Sequence, residues 1–90
     1  MKAIITVLGK DRVGIIATVC NALSQQNVNI LDISQTLLQG GLFTMIMLVD
    51  TAGCTIPFDE LGALLRGEGE RIGVDVRIQR EDIFNAMHRI

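Results

Sequence analysis

Apolar and polar positions along this chain follow two periods, and the switches between them mark the elements. Residues 2–8, Lys-Ala-Ile-Ile-Thr-Val-Leu, are β-branched and almost wholly apolar, and the run stops at Gly9. Such a run predicts a central strand, covered on both faces. Ile16, Val19, Cys20 and Leu23 then fall at i, i+3, i+4 and i+7, the stripe of a helix. Asp11 stands where an N-cap belongs, and Asn27 stands where a left-handed residue ends a helix. A second strand is expected over 28–38. The Gly40–Gly41 pair supplies the positive φ angles of a tight hairpin, and Leu42–Val49 returns as a third strand, again apolar on both faces.

Residues 51–55 read as a loop. Pro57 suits the first turn of a second helix, and Asp59 and Glu60 put negative charge at the positive end of its dipole. Phe58, Leu61, Leu65 and Ile72 share one stripe of that helix, and Gly73 closes it. Gly62, Gly67 and Gly69 each cost about 1 kcal/mol relative to alanine, so its last turns are expected to be weak. Val74, Val76 and Ile78 alternate with Asp75, Arg77 and Gln79, the pattern of a half-buried fourth strand. Ile83, Phe84, Met87 and Ile90 fall at i, i+1, i+4 and i+7, predicting a short amphipathic helix over 81–90. The order β-α-β-β-α-β, with right-handed crossovers, defines an α+β fold, the ferredoxin-like sandwich. Its four-stranded antiparallel sheet has two helices on one face, with the first and third strands central.

The length of 90 residues fits one domain over 1–80 followed by the tail helix. Helices shield one face of the sheet, yet the central strands are apolar on both. Residues 81–90 are therefore expected to pack across the second face, with a dimer hiding what remains, since wet apolar surface forgoes about 25 cal/mol per Å². From Val13 to Val49 the only charged residue is Asp32, which also argues that part of this stretch is covered. The net charge of −2, with three Phe and no Trp or Tyr, argues against nucleic acid and anionic membrane as partners. No apolar run is long enough to cross a membrane, and the N-terminus lacks a signal-peptide layout. Cys20 and Cys54 have neither CxxC nor His spacing, so no metal site is expected and a reducing, cytoplasmic compartment is.

The stretch Gly9-Lys10-Asp11-Arg12-Val13-Gly14-Ile15 carries the candidate chemistry. It is a strand end, a tight turn and a helix start. The first amides of a helix lack internal acceptors, and Gly14 lets a carboxylate approach them, while Asp11 can accept hydrogen bonds from an ammonium. Those are the two ends of a free amino acid. On residue chemistry alone, an ordinary turn with Asp11 as cap and Gly14 as packing glycine explains the same letters.

Gly9-x-Asp11-Arg12-x-Gly14-Ile15, then Asn27-Val28-Asn29-Ile30-Leu31-Asp32-Ile33, then the glycine hairpin and Phe43-Thr44-Met45, resembles an ACT domain over residues 2 to about 80. The similarity is greatest to small free-standing ACT proteins, relatives of the glycine cleavage system repressor. The resemblance implies a regulatory module that senses small molecules, most often amino acids, and works as a homodimer paired through the second strand. It implies a ligand-facing turn of Asp11, Arg12, Val13, Gly14 and Ile15, met by Asn29 and Ile30 of the partner's strand. Asn27 is a further contributor under that reading and a helix terminator under the other. The Asp-Arg-x-Gly form, rather than the His-Asn form of some biosynthetic enzymes, leaves the ligand open. The regulated output would be a separate enzyme or repressor.

Rival readings on the same topology fare worse. An acylphosphatase needs an arginine-bearing phosphate loop, and here Asp11 would repel the substrate; no nucleophile–base pair is visible, so no catalysis and no cofactor are expected. RNA-recognition domains stack bases on aromatics of the central strands, where this chain has only Phe43. The serious alternative is a ligand-independent interaction or regulatory subunit of another protein.

Overall fold

The computed structural model describes residues 1–82; the tail helix expected at Ile83, Phe84, Met87 and Ile90 lies outside the described residues. The elements are β1 (Lys2–Lys10), α1 (Ile15–Gln25), β2 (Asn29–Leu38), β3 (Leu42–Asp50), α2 (Phe58–Ile72) and β4 (Val74–Arg80). One antiparallel sheet has the order β2-β3-β1-β4, so β1 and β3 are central as their two-sided apolarity predicts. Ala3, Ile5 and Val7 of β1 and Phe43, Met45, Met47 and Val49 of β3 form the sheet side of the core. Ile15, Val19, Ala22 and Leu23 of α1 and Leu61, Leu65 and Ile72 of α2 close it from the helix side.

Both helices end as the sequence signals. Asn27 takes φ 60° and its N–H donates to Ser24 O, while Gly73 takes φ 81° and its N–H donates to Glu70 O. A left-handed residue there satisfies carbonyls left open at the last turn. Gly40 and Gly41, at φ 86° and 80°, turn β2 into β3.

The helix starts differ from expectation. Gly14, at φ 96°, is the N-cap of α1, and no side chain caps that terminus, Asp11 included. Pro57 likewise sits at the N-cap of α2, one residue before its first turn. The weak last turns expected of α2 are absent: the helix runs unbroken to Ile72. The reason is steric. A Cβ at Gly69 would lie 2.6 Å from Val74 O and 2.7 Å from Val76 Cγ2, so this glycine lets β4 press against the helix. Gly9 has the same use where β1 meets β4, its virtual Cβ lying 2.8 Å from Val74 Cγ1.

β2 is an edge strand, and none of its ten residues is buried. Its register against β3 slips between Ile30 and Asp32. Ile30 pairs with Val49 on the helix side, whereas Asp32 pairs with Leu48 on the opposite side, so Leu31 is the extra residue of a β-bulge.

Candidate ligand-binding site

The β1–α1 turn is tied down at three points. Asp11 N–H donates to Gly41 O at 2.7 Å, joining the turn to the β2–β3 hairpin. Arg12 Nη1 donates to Ile72 O at 2.9 Å, joining it to the C-terminal end of α2. Ile15 is 2% exposed and anchors the helix start in the core. The guanidinium of Arg12 thus answers one of the last carbonyls of α2, where the dipole is negative. Between these anchors the turn is open: Val13 is 98% exposed, and a Cβ built on Gly14 meets nothing within 4 Å.

The turn borders a concavity of about 390 Å³, lined by Asp11, Ile16, Gln35, Thr36, Leu37 and Phe43. Gln35 and Leu37 pair with Met45 and Phe43, so they stand on the helix side of the sheet, beside the start of α1. The hollow has Asp11 and Gln35 as polar side chains and Ile16, Leu37 and Phe43 as apolar ones, and Thr36, whose side chain takes the other face of the sheet, borders it through its backbone. Sequence reasoning missed all of these but Asp11. Ile16 belongs to the expected core stripe but is 38% exposed; the stripe that packs is Ile15, Val19, Ala22 and Leu23. The signal available was Gln35, a polar residue at a helix-side position of the strand.

Asn29 and Ile30 sit elsewhere. They line a second hollow of about 360 Å³ with Ser24, Asn27 and Val28, at the C-terminal end of α1. Asn29 pairs with Asp50, whereas the hairpin end of β2 pairs Leu38 with Leu42. At about 3.3 Å per residue the two hollows lie roughly 20 Å apart along the strand. One copy of the chain therefore brings Asp11, Arg12, Val13, Gly14 and Ile15 together and leaves Asn29 and Ile30 at the far end. Of the first five only Asp11 borders the hollow; the Ile15 side chain is in the core, and the Arg12 guanidinium donates to Ile72 O. Asn27 Nδ2 donates to Gly53 O at 3.0 Å, a structural contact joining the end of α1 to the β3–α2 loop.

Neither cysteine sits beside this turn. Cys20 is half-buried on α1, and burial pushes its thiol pKa up. Cys54 lines an apolar hollow of about 260 Å³ with Met1, Thr51, Ile56, Phe58 and Leu61. Among the described residues, no group of three His, Cys, Asp or Glu side chains is placed to hold a metal ion, and no helix is long and apolar enough to cross a membrane.

Sheet order, crossover helices and the glycine-bearing turn together define the class, and comparison with known proteins agrees. The family model described as ACT domain matches residues 2–79, and the chain belongs to that family. A UPF0237 protein of Listeria monocytogenes serotype 4b (strain F2365) is 52% identical over 90 residues, covering 100% of both chains. The structure of an ACT domain protein from Streptococcus pneumoniae superposes with a TM-score of 0.82 at 41% identity, covering 97% of each chain. The ligand-free regulatory subunit of aspartate kinase from Thermus thermophilus gives a TM-score of 0.66 at 25% identity, covering 87% of this chain and 50% of that one. A candidate glycine cleavage system transcriptional repressor shares the fold, with a TM-score of 0.72 at 24% identity over 87% of this chain and 44% of its own.

Proposed function

We propose that the chain is a regulatory module, without catalysis of its own, that binds a free amino acid or similar small zwitterion between two identical copies. One observation carries the reading: an open glycine turn beside Asp11 borders a hollow whose outer wall is the unpaired edge of β2. Antiparallel pairing of β2 with its own copy, centred on residues 29–38, sets the partner's Asn29 opposite Leu38, next to the hairpin that holds Asp11. The two hollows, far apart in one copy, would then meet in the dimer. The amides at the start of α1 would take the carboxylate, Asp11 the ammonium, and Asn29 and Ile30 the flank. The 25% identity to a regulatory subunit supports a regulated enzyme as the output, and the two free thiols support a reducing, cytoplasmic setting.

Thermal shift against the twenty amino acids tests this. A ligand at 100 Kd adds about 2.7 kcal/mol of stability, and the shift should vanish in Asp11→Ala. If none of the twenty moves the melt, the ligand reading fails. A second reading, a ligand-independent interaction subunit, is favoured by Val13, whose side chain at the tip of the turn is almost wholly in solvent. On that reading, Val13→Asp abolishes partner capture while leaving every melt unchanged.

A further inference from the structure

The face of the sheet opposite the helices is open and carries a band of apolar side chains among polar ones such as Thr6, Thr44, Asp75 and Arg77. Register places Ile4, Leu8, Leu38, Leu42, Ile46 and Leu48 on it, and Leu8 and Ile46 are 48% and 49% exposed. Thr6, Leu8, Thr44, Ile46, Asp75 and Arg77 border a shallow hollow of about 430 Å³ there. The described residues measure 36 × 35 × 19 Å, the depth of one sheet and one helix layer. Dimerisation along β2 would widen this face without covering it, because added strands extend a sheet in its own plane.

The chain itself supplies an occupant. β4 pairs Gln79 with Ile4 and Arg80 with Ala3, so the backbone leaves the sheet beside the first apolar residue of the open face. Glu81 and Asp82 begin a helical turn there. Residues 83–90 follow, with apolar Ile83, Phe84, Met87 and Ile90 and no acid among them. Eight residues span about 12 Å as a helix, and Ile4 to Leu8 spans about 13 Å along the strand. A tethered segment also acts at millimolar effective concentration, which a separate copy reaches only in concentrated solution.

We propose that residues 83–90 lie across this face in the same chain and seat apolar side chains over Ile4, Leu8 and Ile46. The inference is independent of the ligand reading. Nuclear Overhauser contacts in the full chain test it, with labelled and unlabelled copies mixed to separate contacts within a chain from those between chains. Contacts from the Phe84 ring or Met87 methyl to the Leu8 and Ile46 methyls of the same chain are expected. Deleting residues 83–90 should lower the melting temperature by roughly 5–10 °C and raise binding of a hydrophobic dye. The proposal is overturned if the segment contacts the hollow around Met1 and Phe58 instead. It is equally overturned if Ile46 of one copy meets Ile46 of another, or if the deletion changes neither melt nor dye binding. Should the deletion fail to fold, the contacts in the intact chain decide alone.

Discussion

At the scale of single residues, the glycines of α2 show how neighbours override propensity. Gly67 and Gly69 carry the same helix penalty, but a Cβ at Gly67 meets nothing within 4 Å, whereas one at Gly69 collides with backbone and side chain of β4. Gly67→Ala should therefore raise stability by about 0.5–1 kcal/mol, and Gly69→Ala should lower it by about 1–3 kcal/mol. Urea midpoints of the two variants check both signs. Asn27 and Gly73 were legible as helix terminators because their role is local. Gly69 was not, because its reason lies in a strand that returns from elsewhere. A titratable residue gives a second prediction. Ala52 N–H donates to Asp50 Oδ1 at 3.0 Å, and the Met1 ammonium lies 3.6 Å from the same oxygen. The backbone bond, aided by that ammonium, holds the Asp50 pKa below its ordinary 3.8. A carboxyl depressed on folding adds stability above its unfolded value and loses it as pH falls through the folded one. Asp50→Asn should flatten the stability profile below about pH 4, measured by denaturation across acid pH, and leave its shape near neutrality unchanged.

Among the elements, α1 is the instructive one. Its apolar residues at 15, 16, 19, 20 and 23 fit two overlapping stripes, and periodicity alone does not choose between them. The sheet chooses, turning Ile15 and Val19 inward and leaving Ile16 at the rim of the Asp11 hollow. The site was thus half legible. The turn could be read as a motif, but its wall of Ile16, Gln35 and Leu37 depends on the helix rotation and strand register that folding sets. Ile16→Ala should cost less than about 1 kcal/mol because the side chain is already partly wet. Val19→Ala, fully buried, should cost about 1–3 kcal/mol. Thermal denaturation separates the two, and on the ligand reading only Ile16→Ala also weakens amino-acid binding without a comparable loss of fold.

For the whole molecule, the strand order and the two-sided apolarity of β1 and β3 followed from the sequence because both are properties of long, regular runs. That the edge and the second face need a cover was legible too, in the near absence of charge from Val13 to Val49, whereas the geometry of that cover depends on surfaces that meet only after folding. A dimer built on β2 predicts that Ile33→Lys, at the middle of the edge and 40% exposed, gives a monomer with little loss of folding. Sedimentation velocity reads this directly, and the wild-type melt should rise with protein concentration while the variant's does not. The irregularity at Leu31 has its own consequence for how this chain tolerates change in length. Removing that one residue would leave Ile30 facing Val49 and Asp32 facing Leu48, so every side chain of β2 keeps its side. Removing Ile33 instead would also close the bulge, but it would set Leu31 opposite Leu48 and turn Asp32 to the helix side, opposite Met47. The strand thus has slack at a single place: a chain lacking Leu31 should fold and give an amide spectrum dispersed like the parent's, and one lacking Ile33 should melt at a lower temperature than either.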